Sequence, residues 1–154
     1  MLKDTKYKGF SLIEILIVVG LILILAAVTI VAINPAKHFR DTRNSERSTH
    51  ISEILNAVTQ YTAEEGRTLD DLGTAGGATI PNCDSDVVTI GSEAGNLNLA
   101  SPLVDDYMVE IPVDPNNGDA EDTGYTICQT SGGRVQIGAT LETETGTEEV
   151  SVSR

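Results

Sequence analysis

The sequence predicts an α+β chain: a long N-terminal helix, apolar in its first half and one-sided in its second, packed on a small antiparallel β-sheet. Three observations carry this. From Phe10 to Ile33 only Glu14 is ionisable. Ile51, Ile54, Leu55, Val58 and Tyr61 then recur at the spacing of one apolar stripe on a helix. Past Gly66 the composition turns to Gly, Thr, Asp and Asn with short β-branched runs, the pattern of strands joined by turns. An antiparallel sheet laid on the 51–61 stripe buries both surfaces.

Taken in order, residues 1–9 (MLKDTKYKG) are a short basic segment, with Lys3, Lys6 and Lys8 against Asp4. Residues 10–33 follow as a helix of about 36 Å, long enough for a hydrocarbon core of roughly 30 Å. The run is too long for a secretory h-region of about 7 to 15 residues. No small-residue cleavage site follows it before Asn34 and Pro35, so it is expected to stay in the mature protein. The basic leader places the N-terminus in the cytoplasm and everything beyond Ile33 outside. Lys37, Arg40, Arg43 and Arg47 just past the span pull the other way.

Residues 34–65 continue the helix. Pro35 lacks an N–H and disfavours helix at Asn34, so a kink or short break is expected there. Arg43, Glu46, Arg47, Glu53 and Gln60 fall largely off the apolar stripe, and Gly66 stops the helix. Residues 66–154 form the β-rich head. Within it 73–82 (GTAGGATIPN) reads as a glycine-rich loop and 86–90 as a short strand. Ser101 and Pro102 read as the cap and first residue of a helical turn. Residues 111–124 form a long polar loop. YTICQ (125–129) and RVQIGATLE (134–142), joined through Gly132 and Gly133, read as a β-hairpin, and 148–152 as a last strand.

Charge and cysteines narrow the function. From Thr62 onward 18 aspartates and glutamates face three arginines, an acidic surface that repels nucleic acid and anionic lipid. Cys83 and Cys128 fall in the part assigned outside, where an oxidising compartment permits a disulfide. Catalysis finds little footing. The two histidines, His38 and His50, lie on the helix among charges, and no Gly-x-Ser-x-Gly, His-Glu-x-x-His or phosphate-cradling loop is present. Asp70/Asp71 and Asp105/Asp106 are sequence neighbours, so their carboxylates splay apart. The chain is read as a non-enzyme.

KGFSLIEILIVVGLILILAAV, with a short basic leader, Gly9, Phe10 and a glutamate at the fifth residue from Phe10, resembles the N-terminus of type IV pilins and type II secretion pseudopilins. The likeness covers roughly residues 1–65; the head resembles the family only in layout, helix then antiparallel sheet with a cysteine pair. It implies cleavage between Gly9 and Phe10 by a prepilin peptidase and N-methylation of the new Phe10 amine. Losing three lysines and an aspartate makes the net charge of −13 two units more negative. It further implies that Glu14 pairs with the Phe10 amine of a neighbouring subunit during assembly. A lone carboxylate in lipid is penalised, and such a partner relieves the penalty only when subunits stack in register. The family often has a proline nearer the middle of the apolar stretch; here Gly20 is its one helix weak point.

The resemblance therefore implies a filament subunit, a pilin-like fold, and a life in two places. The chain is first a single-pass protein of the inner membrane, its partners being lipid, the prepilin peptidase and the pilus assembly machinery. It then joins an extracellular or periplasmic polymer with itself or other pilins. The secretion-type alternative rests on VEIPVDPNNGDAEDTGYTI, similar to the Pro-x-Asp-Pro loop of major pseudopilins, where calcium often sits. Asp114, Asn116, Asp119 and Asp122, with Asn117 and Glu121 nearby, offer hard oxygen ligands, although Asp-Pro-Asn-Asn-Gly-Asp is also ordinary turn composition. DNA capture has one candidate surface, the 37–47 basic cluster, and few aromatics for stacking: Phe39, Tyr61, Tyr107 and Tyr125. Nucleic acid is not an expected partner.

Overall fold

The computed structural model describes residues 9–154, so the 1–9 leader lies outside the described residues apart from Gly9. The chain forms two compact units that divide after His38.

In the first unit α1 spans Leu12–Ile33, with Ser11 at its N-cap position in extended conformation. Asn34 ends it in the left-handed region, at φ 47°. The same residue starts the next helix, α2 (Pro35–Ala63): its carbonyl accepts from the Lys37 N–H at 3.1 Å and its side-chain oxygen from the same N–H at 3.4 Å. Asparagine tolerates the left-handed turn and caps well, and proline suits a first helical position. The expected break at Pro35 is therefore a true boundary between two helices.

In the second unit the α2 stripe is the spine of the core. Ile51, Ile54, Leu55, Val58 and Tyr61 are all buried. They meet a four-stranded antiparallel sheet in sequence order: β1 (Val88–Thr89), β2 (Tyr125–Gln129), β3 (Val135–Glu142) and β4 (Thr147–Ser153). Register pairs Ile127 with Ile137 and Tyr125 with Ala139. Val135, Ile137 and Ala139 alternate with less buried neighbours along β3, as a strand with one wet face requires. Leu72, Ile90, Leu97, Leu99 and Leu103 complete the core.

Four expectations need correction. Gly73–Gly76 belong not to a loop but to α3 (Leu69–Gly76), started by a capping box in which Thr68 and Asp71 exchange bonds and ended by left-handed Gly77. The capping signal was present and the glycines masked it. The 86–90 strand shortens to Val88–Thr89: the Ile90 N–H still donates to the Tyr125 carbonyl at 2.8 Å, but the Ile90 carbonyl accepts from the Thr123 N–H at 3.0 Å, and Ile90 forms an isolated bridge with Leu97. The short helix α4 spans Ala100–Leu103, so Ser101 lies inside it; Leu99 holds the N-cap position without a side-chain bond, and Asn98, one residue earlier, accepts from the Ala100 N–H through Oδ1 at 3.0 Å. Finally, Arg47 is not off the buried stripe: it is 3% exposed.

Candidate functional site

The first candidate is α1 itself. No residue in it is buried, and it is long and apolar enough to cross a membrane. Water around such a surface is unfavourable by about 25 cal/mol per Å², so lipid or other apolar chains must cover it. Glu14 sits in its first turn, its N–H donating to the Ser11 carbonyl at 3.1 Å. A carboxylate there lies near the positive end of the helix dipole, and no described side chain pairs with it. Gly9 and Phe10 precede the helix as exposed, non-helical residues, with Phe10 80% exposed. A peptidase needs this kind of extended, accessible backbone.

The second candidate is a polar clamp in the head, built where α2 continues its buried stripe backwards in charged residues. Stepping from Ile51 toward the N-terminus by helical spacing gives Arg47, Asn44, Arg43 and Arg40. The Arg47 guanidinium donates from Nε and Nη2 to both Asp114 carboxylate oxygens, the latter at 2.9 Å. Its Nη1 donates to Asn44 Oδ1 at 2.9 Å, and Nη2 lies 3.0 Å from Glu142 Oε1. Arg43 donates bidentately to Glu142, with Nε to Oε1 at 2.8 Å. Asn44 meets the Glu142 backbone both ways, donating to its carbonyl at 2.8 Å and accepting from its N–H at 2.9 Å. Arg40 reaches Glu144 at 3.6 Å.

The electrostatics follow from the geometry. The bonds from Arg43, then those from Arg47, hold the Glu142 carboxyl down at about 2 against the cost of its desolvation. Burial pushes Asp114 upward, but Arg47 and the N–H groups of Asn116 and Asn117 together bring it below the usual carboxylate range. The Asp114 bond raises Arg47 in turn. Next along the helix His50 Nδ1 and the Tyr125 hydroxyl are hydrogen-bonded at 2.8 Å. Burial pushes that buried phenol upward.

The clamp fixes the 111–124 loop. Asp114 N–H donates to Thr123 O at 2.8 Å and Asp119 N–H to Asp122 O at 2.8 Å, which closes the loop upon itself. Gly118 makes this possible: a Cβ there would stand 2.3 Å from Asp114 N. Asp114 Oδ1 accepts from Asn116 N–H at 2.9 Å, Asp119 Oδ1 from Glu121 and Asp122 N–H at 2.8 Å, and Asp122 Oδ1 from Gly124 N–H at 2.9 Å. The expected oxygen ligands thus share one loop, with their carboxylates turned to backbone amides and Asp114 held by Arg47. Among the described residues no group of three His, Cys, Asp or Glu side chains is arranged to hold a metal ion.

Cys83 and Cys128 are joined by a disulfide that ties the 81–86 segment to β2; Cys83 N–H donates to Gln129 O at 2.9 Å beside it. The basic cluster once weighed as a DNA surface is largely spent on Asp114, Glu142 and Glu144.

Residues 4–30 match the model of the prokaryotic N-terminal methylation motif, the prepilin motif of type IV pilins and pseudopilins. That match covers residues 4–9 of the leader, the Gly9–Phe10 junction, Glu14 and most of α1. It supports a pilin- or pseudopilin-like precursor, and together with the apolar α1 it fits a membrane-anchored chain. No curated protein and no solved structure matches the chain.

Proposed function

We propose that this chain is a structural subunit of a type IV pilus-like filament. Prepilin peptidase cuts between Gly9 and Phe10, and the new amine is methylated. α1 holds the subunit in the inner membrane with its N-terminus cytoplasmic, until the assembly machinery moves it into the polymer. The filament then stands in the periplasm or outside the cell. One observation carries this reading: α1 is apolar on every side, has no buried residue, and bears a single carboxylate in its first turn inside the matched motif. Such a helix needs lipid before assembly and neighbouring helices after it. The test is to shear surface filaments and determine the N-terminus of the subunit they contain. A methylated Phe10 is expected; retention of Met1, or absence of the chain from any filament, refutes the reading.

The secretion-type alternative, a pseudopilin with calcium held by Asp114, Asn116, Asp119 and Asp122, is supported by these four residues lying in one loop, closed by the Asp114 N–H bond to Thr123 O. Calcium would replace the Arg47 pairing with Asp114. Folded-state binding must raise the melting temperature. The purified chain is expected to melt higher in millimolar calcium than in chelator; equal melting points leave the loop a clamp substrate and nothing more.

A further inference from the structure

The sheet has two unlike edges. β1 is two residues long, and beyond it Asn82 bridges directly to Gln129. The opposite edge, β4, is a seven-residue strand from Thr147 to Ser153, and among the described residues no strand lies on its far side. Val135 and Arg154 exchange both backbone bonds, each at 3.2 Å. Antiparallel ladders alternate, so in the observed register Val152, Val150 and Glu148 bond β3 in the same way. The N–H and C=O groups of Glu149, Ser151 and Ser153 therefore face outward, without a described backbone partner. An open edge of this kind is a template for another strand.

We propose that this edge docks the β4 strand of a second copy, antiparallel, with Ser151 opposite Ser151 on the two-fold axis. The choice of register comes from the side chains. Outward groups belong to odd-numbered residues, so only registers that pair odd with odd satisfy them. Centring on Glu149 sets like charges face to face. Centring on Val150 puts Glu148 opposite Val152, and centring on Val152 puts Arg154 opposite Val150. Centring on Ser151 sets Glu148 against Arg154, Val150 against Val152 and Glu149 against Ser153, each twice. In that register every cross-strand pair is complementary or neutral, and opposite charges and apolar pairs across strands are the ones that stabilise. Val150 and Val152 already lie on the core side, and Arg154 reaches Asn56 of α2 on that side at 3.3 Å, so Glu148 and Arg154 share a face. The contact is isologous and closes at two copies, separate from any assembly through α1.

Cysteine cross-linking of the full chain in membranes tests this. Opposed residues of a hydrogen-bonded antiparallel pair have Cα atoms about 5.5 Å apart, within disulfide reach. Ser151→Cys is expected to give a covalent dimer under mild oxidation. Ser153→Cys, whose own copy sits roughly four residues away along the strand, about 13 Å, should give at least about tenfold less. In the Ser151→Cys background, Glu148→Arg alone and Arg154→Glu alone should each suppress the dimer, and combining them should restore it. Equal cross-linking at 151 and 153, no dimer at 151, or single charge changes without effect would each overturn the proposal. Restoration by the double swap also separates this contact from filament formation, because no α1 residue is altered.

Discussion

Arg47 is the residue whose role departs most from its appearance in the sequence. It stands among charges, yet its side chain is 3% exposed and holds Asp114 at 11% exposure and Glu142 at 22%. Truncating it leaves Asp114 partly desolvated without its cation and strips Glu142 of one of its two arginines; breaking a buried pair in this way costs about 3–5 kcal/mol. Arg47→Ala is expected to lower the thermal midpoint of the head sharply and to loosen the 111–124 loop, read as faster amide exchange there. Arg47→Lys should recover little, since a point charge cannot fork to both Asp114 oxygens. The same site sets an acid limit. Glu142 is held at about 2 and Asp114 below its ordinary value, so both carboxyls are more acidic folded than unfolded. Their contribution is fully present above the unfolded carboxylate range near 4 and disappears as pH falls toward 2. Stability measured from pH 5 downward should therefore drop through this window, and Glu142→Gln should flatten part of the drop. A pH-independent midpoint over that range would contradict the clamp. The clue was in the sequence: counting back from Ile51 by threes and fours lands on Arg47, Asn44, Arg43 and Arg40. What could not be read were the partners, because Asp114 and Glu142 lie 67 and 98–99 residues away.

At the scale of elements, legibility tracked how local the deciding physics was. The α2 stripe and the 125–142 hairpin repeat a simple period, and both formed where the residues placed them. The Asn34–Pro35 boundary depends on one left-handed residue and one proline, again a local matter. The misread segments are those in which context decides. α3 carries Gly73 and Gly76 and survives because Thr68 caps it and Leu72 is buried, while β1 stops where the Ile90 carbonyl is taken by Thr123. This gives α3 a soft start. Thr68→Ala removes the acceptor for the Asp71 N–H and is expected to cost about 1 kcal/mol, detectable as a lower denaturation midpoint with unchanged slope. The disulfide acts at the same scale. Closing a span of 45 residues adds about 4 kcal/mol in the chain-entropy account. Free-thiol labelling of the native chain should be negative, and reduction should lower the melting temperature while exposing the 81–86 segment first. Full labelling without reduction would refute the bridge.

The molecule presents two surfaces with opposite demands: an apolar helix with no buried residue, and an acidic head that carries the whole of the net charge of −13. The head's net charge sets copies apart, so stacking into a filament must draw its main attraction from α1, where Glu14 is the one ionisable side chain along the helix. A carboxylate in hydrocarbon is costly alone and acceptable beside an ammonium. If the Phe10 amine of a neighbour supplies that ammonium, Glu14 sets the axial step at which copies can stack. Glu14→Ala is then expected to leave membrane insertion intact, since alanine suits an apolar helix, while each incoming amine is buried unpaired at a cost of several kcal/mol. Filament recovered by shearing should fall to a small fraction of the membrane-bound pool. Glu14→Gln keeps the shape and loses the charge, so it should fail nearly as badly, whereas Glu14→Asp should retain part of the yield. The comparison to make is sheared filament against total subunit across the wild type and the three variants. Normal yield from Glu14→Ala would show that the carboxylate merely reaches toward the headgroups, and that the stacking step is set by the apolar surface alone.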